Sequence, residues 1–301
     1  MRIGISEMFT GVDGRDGAWT RETAQLLEEL GFNSLWVPEH VVFFPEYTSA
    51  YPYGTLGRVE VEATRGVYDP MSVICALATA TRSMRLATYV CVIAQRNPIL
   101  LAREVVVADH LSGGRFDFTV GVGWSAEEYE ALGVPFERRG QRTDEYLTAM
   151  KLLWSDQELT AFDGEFVRFK PLFAYPKPLQ RPHPPIVVSG NSAATIRRIV
   201  EHGQGWAGYS LSLEEIERFL ERLDGALSAA GRSLEEIKLR IGLRAKGKSE
   251  ADWEEDARYI QGCERLGLHE VVVSPRLPTE GYEALTRRYA EIVGITAGAA
   301  S

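Results

Sequence analysis

Cysteine is scarce in this chain: Cys75, Cys91 and Cys263 are the only three in 301 residues, and none belongs to a CxxC pair. That excludes a disulfide framework and a cysteine zinc site, and predicts buried thiols in a reducing, cytoplasmic compartment. Long hydrophobic runs are missing too. Stretches such as Val105–Ala108 fall far below the ~20 residues of a membrane span, so no membrane partner is expected. Met1-Arg2-Ile3-Gly4 enters a strand pattern at once, without the apolar region of a signal peptide. Basic residues are outnumbered, 33 Lys plus Arg against 42 Asp plus Glu, for a net charge of −9. A nucleic-acid footprint is therefore not expected. No His/Cys/Asp/Glu set shows metal spacing, and no GxSxG or Cys–His pairing announces a nucleophile.

What remains is ordinary globular composition, 45% hydrophobic and 25% charged, arranged as alternating strands and helices. The strand patterns are Met1–Met8, Asn33–Val37, Arg85–Val92, Arg115–Val122, Pro185–Val188, Gly205–Tyr209, Ile237–Leu243 and His269–Ser274. Amphipathic helices follow them. Asp69-Pro70 and Asn97-Pro98 each place a capping side chain before a first-turn proline, and Ser212 with Glu215 makes a capping box. The strands are nearly continuously apolar, as expected when both faces are buried. Right-handed crossovers then close them into a (β/α)8 TIM barrel, an α/β fold forming one domain over residues 1–301. An open doubly wound sheet is the alternative, but Gly121-Val-Gly123 lacks the third glycine of a dinucleotide loop.

Two insertions interrupt the rhythm. Residues 41–68, after the second strand, are rich in Tyr, Phe and Pro and carry Arg58, Glu60, Glu62 and Arg65. Residues 156–184, after the fourth unit, contain a hairpin pattern (Leu159–Phe162, Phe166–Phe169) and a proline-rich stretch. The loops after barrel strands build active sites, so both are candidate lids. The second could instead cover the barrel edge or a subunit contact.

Glu39-His40 lies just past the second strand, where barrel enzymes place acids and bases, and histidine titrates near neutral pH. Glu7 ends the first strand, where a carboxylate in the pocket could tune that histidine. Ser189-Gly190-Asn191-Ser192 joins the fifth strand to a helix whose N-terminus offers N–H groups to an anion, although any such turn needs small polar residues. His110, His183, His202 and His269 have no evident partner and read as structural.

The segment Leu86–Val90, followed by Arg96-Asn97-Pro98 and then Asp109–Phe116 with its Leu-Ser-Gly-Gly-Arg core, resembles the luciferase-like (bacterial luciferase) superfamily. Gly121-Val-Gly123-Trp124, Glu127 and Glu128, Arg139-Gly140, Asp144-Glu145, Leu153-Trp154, Ser189-Gly190-Asn191 and Gly205-Trp206 continue the likeness over roughly residues 2–210. Within that superfamily the chain resembles the shorter enzymes that use the deazaflavin coenzyme F420.

The resemblance implies a flavin-type ring at the C-terminal mouth of the barrel, transferring a hydride to or from a small organic substrate. It also implies a cofactor-supporting bulge around Tyr89-Val90-Cys91, often with a non-prolyl cis peptide. Carried over by position, Glu39, Thr88, Tyr89, Val90, Trp124 and Ser125 would contact the ring region. Ser189, Gly190, Ser192 and Ala193 would contact the cofactor phosphate. His40 would be the catalytic histidine, with Glu7 and Glu39 tuning it. Relatives that oxidise sugar phosphates or alcohols carry Gly-Glu after the fourth-strand glycines; here Gly123 is followed by Trp124-Ser125-Ala126, leaving Glu127 or Glu128 as imperfect substitutes. The alternatives are an FMN-dependent monooxygenase fed by a separate reductase, and a non-catalytic flavin-binding barrel. The family likeness further implies a homodimer through the second and third helices.

Overall fold

A computed structural model describes residues 1–53, 63–244 and 247–295. Arg58, Glu60 and Glu62 of the first insertion lie outside the described residues. The first half of the chain runs β1 (Arg2–Ser6), α1 (Gly17–Leu30), β2 (Ser34–Val37), α2 (Pro70–Ala80), β3 (Arg85–Thr88), β4 (Cys91–Val92), α3 (Pro98–Ser112), β5 (Phe116–Gly121), α4 (Ala126–Ala131) and α5 (Arg139–Trp154). The second half runs β6 (Thr160–Asp163), β7 (Arg168–Leu172), β8 (Ile186–Ser189), α6 (Ala193–His202), β9 (Gly205–Tyr209), α7 (Leu213–Ala229), β10 (Lys238–Arg244), α8 (Glu250–Arg265), β11 (Glu270–Ser274) and α9 (Tyr282–Ile292).

The parallel strands pair in the order β3-β2-β1-β11-β10-β9-β8-β5, and a further β3–β5 pairing closes the ring. This is the expected eight-stranded (β/α)8 barrel. Its helices begin where the capping residues said they would. Asp69 accepts the Ser72 N–H at 2.9 Å, and Asn97 accepts those of Ile99 and Leu100 at 3.0 and 3.2 Å. All four β2 residues are buried, as are the first three of β8, because helices cover the outside and side chains fill the inside.

The third strand departs from its expected continuous run. It breaks between β3 and β4, at a cis Tyr89–Val90 peptide, where the resemblance placed a bulge. β3 pairs with β2 and β5, whereas β4 pairs, among the described residues, only with β5, Cys91 opposite Val120 and Val92 opposite Gly121. Gly121 is required by this break: a Cβ there would come within 2.5 Å of the Val90 Cγ2 atom.

The second insertion packs against the barrel flank. Its β6–β7 hairpin is pinned to α5 because Glu145 accepts the N–H groups of Glu165, Phe166 and Val167 at 3.0, 2.6 and 2.8 Å. Further on, Asp109 accepts Leu179 and Gln180 N–H groups at 2.6 and 3.0 Å. The Gln180 amide also reaches the Phe116 carbonyl, at the opening residue of β5. The segment therefore runs down the barrel flank to its N-terminal end.

That end is closed by a charged plug. Asp117 accepts Arg240 Nη2 at 2.7 Å and Arg85 Nε at 3.0 Å; Arg240 Nε in turn meets Glu270 at 3.0 Å. Glu270 also accepts Ser34 Oγ at 2.5 Å and Asn33 Nδ2 at 2.8 Å. Burial alone would push the Asp117 carboxyl up, but Arg240 and Arg85 outweigh it and hold it below the usual carboxylate range. Asp117→Asn should therefore lower the unfolding free energy by about 3–5 kcal/mol, measured by denaturant titration, because half-buried Arg85 loses its carboxylate and buried Arg240 is left with Glu270 alone. With the folded-state pKa below the unfolded ~3.9, this contribution is complete above about pH 4 and is lost as pH falls further. Wild-type stability in the variant would contradict this account.

Candidate active site at the barrel mouth

β2 delivers Val37 and Pro38 to the rim, and the next two residues turn to different partners. Glu39 is 7% exposed; its Oε2 accepts the Val92 N–H at 2.7 Å and its Oε1 accepts Arg96 Nε at 2.9 Å. Arg96 also reaches Asp69 at 2.8 Å, beside the start of α2. Burial alone would lower the Arg96 guanidinium, yet the Glu39 charge outweighs it and raises it above its ordinary value. Glu39 thus supports the strand-three break rather than the adjacent histidine.

His40 instead meets Glu128, with Nδ1 and Oε2 separated by 3.3 Å. The other Glu128 oxygen accepts the Val41 N–H at 2.9 Å. Glu7 and Glu39, expected to tune His40, hydrogen-bond other groups. Glu7 accepts Arg15 Nη1 at 2.6 Å, the Tyr282 hydroxyl at 2.8 Å and the Met8 N–H at 2.9 Å. It ties the β1 rim to the loop before α1 and to α9. Sequence reasoning could weigh Glu128 only as a substitute, since 88 residues separate it from His40.

The neighbouring acid fastens the first insertion. Glu127 Oε1 accepts the Thr48 N–H at 2.6 Å, the Thr48 hydroxyl at 2.7 Å and the Ser49 N–H at 3.0 Å. Burial would raise Glu127, but these donors outweigh it and hold the carboxyl well below its usual range. Ser125 is buried and caps α4, accepting the Glu128 N–H at 3.1 Å. Ser125 thereby positions both acids.

Above these contacts an aromatic series crosses the mouth. His40 lies 6.0 Å from the Trp124 ring centroid, and Tyr47 and Tyr51 pack on Trp124 at 5.2 and 5.1 Å. Tyr51 continues to Tyr53 at 5.7 Å, Tyr53 to Tyr209 at 5.3 Å, and Tyr209 to Tyr89 at 6.0 Å. Burial pushes the Tyr51 phenol up to about 12 and Tyr89 well above its ordinary value, so both are neutral at physiological pH. The Tyr89 hydroxyl is buried without a hydrogen-bond partner. Thr88, by contrast, spends its hydroxyl on β5, donating to the Thr119 carbonyl at 2.6 Å and accepting the Thr119 N–H at 3.0 Å.

The turn after β8 lies at the start of α6. Ser192 caps the helix through a reciprocal box with Thr195, and Ser192 and Ala193 are exposed. Gly190 has φ +121°, and a Cβ there would approach Thr195 Oγ1 to 2.7 Å. Ser189 is half-buried at the end of β8. The remaining histidines sit in local bonds: His110 with the Lys177 carbonyl, His183 with the Pro184 carbonyl, His202 with Lys151, and His269 with the Leu239 N–H. Among the described residues no group of three or more His, Cys, Asp or Glu could hold a metal ion, and no helix is long and apolar enough to cross a membrane.

The Glu127 tether is open to direct measurement. A hydrogen bond to a charged acceptor contributes about 1.5–3 kcal/mol, so Glu127→Ala should speed amide exchange at Thr48 and Ser49 by about tenfold or more. Unchanged exchange at both amides would mean that aromatic packing alone holds the loop.

The profile of the luciferase-like monooxygenase family matches residues 2–252. An uncharacterised protein of Mycobacterium tuberculosis is 36% identical over 212 residues, which cover 69% of this chain and 73% of that protein. An FMNH2-dependent dimethylsulfone monooxygenase of Pseudomonas putida is 26% identical over 80% of this chain and 61% of its own length. Among solved structures, the monooxygenase RslO1 of Streptomyces bottropensis superposes with a TM-score of 0.77 at 22% identity, covering 97% of this chain and 98% of its own. The coenzyme F420-dependent tetrahydromethanopterin reductase of Methanopyrus kandleri does so with a TM-score of 0.74 at 14% identity, covering 100% and 99%. At these identities the two structures establish the fold. The chain belongs to the luciferase-like monooxygenase family.

Proposed function

We propose that the protein is an F420-dependent oxidoreductase that moves a hydride between a deazaflavin ring and a small organic substrate. The observation that carries this reading is His40, a titratable group held at the barrel mouth between the Glu128 carboxylate, 3.3 Å away, and the Trp124 ring. When bound, the deazaflavin supplies the hydride chemistry.

The residues present fit such a group. Inside the barrel, the buried Tyr89 hydroxyl lies against Gly242 of β10 and lacks a partner. At the start of α6, exposed Ser192 and Ala193 leave first-turn N–H groups open to a phosphate. Glu39 keeps the break in place through Val92, and Trp124 with the Tyr47–Tyr53 stretch walls off water. An ionised carboxylate only accepts hydrogen bonds, so Glu128 holds the proton of the His40 ring on Nδ1 and leaves Nε2 to take or give the proton that accompanies hydride transfer. Glu7 acts through position, by fixing the β1 rim. The barrel and its insertions work as one unit, a cytoplasmic homodimer. The row of Leu100, Val107 and Leu111 on the outer face of α3, exposed at 62%, 40% and 46%, supports a subunit contact there.

A second reading is an FMN-dependent monooxygenase supplied by a separate reductase. The FMNH2-dependent relative from Pseudomonas putida favours it, and the start of α6 suits the phosphate of either cofactor. Titration of the purified protein with F420 and with FMN, followed by fluorescence, separates the two. Tight F420 binding without measurable FMN binding is the expected result. The opposite preference selects the monooxygenase, and binding of neither leaves a non-catalytic barrel. His40→Ala should retain cofactor and lower turnover by about 10²–10⁴-fold; unchanged turnover would remove His40 from the chemistry.

A further inference from the structure

Away from the mouth, a lysine amine sits against an imidazole. Lys151, in the last turn of α5, is half-buried, and its Nζ lies 3.2 Å from His202 Nδ1 and 3.4 Å from the Glu201 carbonyl oxygen. Both partners belong to the C-terminal end of α6. His202 is 3% exposed, and burial pushes its imidazole down to about 4, so the ring is neutral at physiological pH. A neutral ring that accepts at Nδ1 carries its proton on Nε2. That nitrogen is buried without a hydrogen-bond partner, and Glu201 Oε1 stands just beyond bonding distance, at 3.6 Å. Burial also lowers the Lys151 amine below its ordinary value, and the Glu201 charge offsets only part of the effect. Amine, imidazole and carboxylate therefore stand in the order of a nucleophile, its base and a group beside the base. Lys177 provides the contrast. Burial lowers its amine too, yet its Nζ donates to the Leu153 carbonyl at 3.0 Å, beside the Tyr175 ring, with no imidazole against it among the described residues.

We propose that Lys151 is an acylation site, at which the free amine takes the acyl group of an acyl phosphate or acyl thioester while His202 receives the proton. The inference does not depend on the cofactor reading, because the site lies between two helices on the outside of the barrel. A neutral amine has two N–H bonds and one lone pair. At Lys151 both N–H bonds have acceptors, His202 Nδ1 and the Glu201 carbonyl, so the lone pair takes the remaining direction. Each unit by which an amine's pKa falls raises its free share about tenfold at neutral pH. In the reaction Nζ attacks the acyl carbon. The nitrogen–carbon bond forms as the bond from carbon to the phosphate oxygen or the sulfur breaks, and the leaving group departs with that electron pair. One amine proton passes to His202 Nδ1, where the Glu201 carboxylate stabilises the imidazolium, and then through water to the leaving group. The amide that results keeps one N–H for the Glu201 carbonyl. Acylation therefore removes a cation from the joint between α5 and α6.

The full-length protein, incubated with acetyl phosphate or with acetyl-coenzyme A across about pH 6.5 to 9.5, provides the test. Digestion with a glutamate-specific protease and mass spectrometry give the acetylation rate of each lysine, with exposed Lys170 on β7 as the reference. Lys151 should be acetylated about threefold faster than Lys170 or more at pH 7.5, by one donor or both, and the two arms tell which leaving group the site accepts. Its rate should level off at a lower pH than that of Lys170. His202→Phe removes the ring acceptor and should slow Lys151 by about threefold or more, with Lys170 unchanged. If that variant does not fold, the wild-type rate ratio and pH profile decide alone. A Lys151 rate no higher than that of Lys170 with both donors, a shared pH profile, or an unchanged rate in folded His202→Phe overturns the proposal.

Discussion

A carboxylate at 7% exposure, Glu39, is the constraint on which the mouth of this barrel depends. Its charge would be expensive to bury alone, and the structure matches it with the Val92 N–H and the Arg96 guanidinium. Those two bonds join the end of β2 to the far side of the break in the third strand. Through Asp69 they extend to the first turn of α2. Three segments distant in sequence are thereby locked around one side chain. His40, the next residue, finds its carboxylate on α4.

The two ends of the barrel use charge differently. At the N-terminal end, Asp117, Arg240, Arg85 and Glu270 answer one another across the interior and close it. At the C-terminal end two carboxylates of α4 bind backbone: Glu128 takes the Val41 N–H, and Glu127 takes Thr48 and Ser49. Side chains at the first end lock strands together, whereas those at the second hold a loop over an opening. This matches the division in such barrels between a stabilising face and a face where chemistry occurs.

Much of the architecture was legible because local rules and the global fold agree. Asp69-Pro70 and Asn97-Pro98 start helices since a capping oxygen and a fixed proline φ suit only a first turn. The apolar β2 and β8 runs read as doubly covered strands. The hairpin within residues 156–184 was visible in its alternation, although its docking site was not. Glu145 and Asp109 hold that segment along the flank, and neither residue carries a local signal that it would do so.

The sequence by itself determined the barrel, the rim position of Glu39-His40 and the small-residue turn before α6, because each follows from periodicity, capping or steric demand within a few residues. Only the tertiary structure decided which carboxylate serves which partner. Glu7 went to Arg15 and Tyr282, Glu39 to Arg96, and Glu128 to His40. The physical reason is that hydrogen bonds and ion pairs act over a few ångströms in space and leave no trace in sequence spacing. Which acid meets a given base is fixed when the ring of strands closes and brings the loops to one rim.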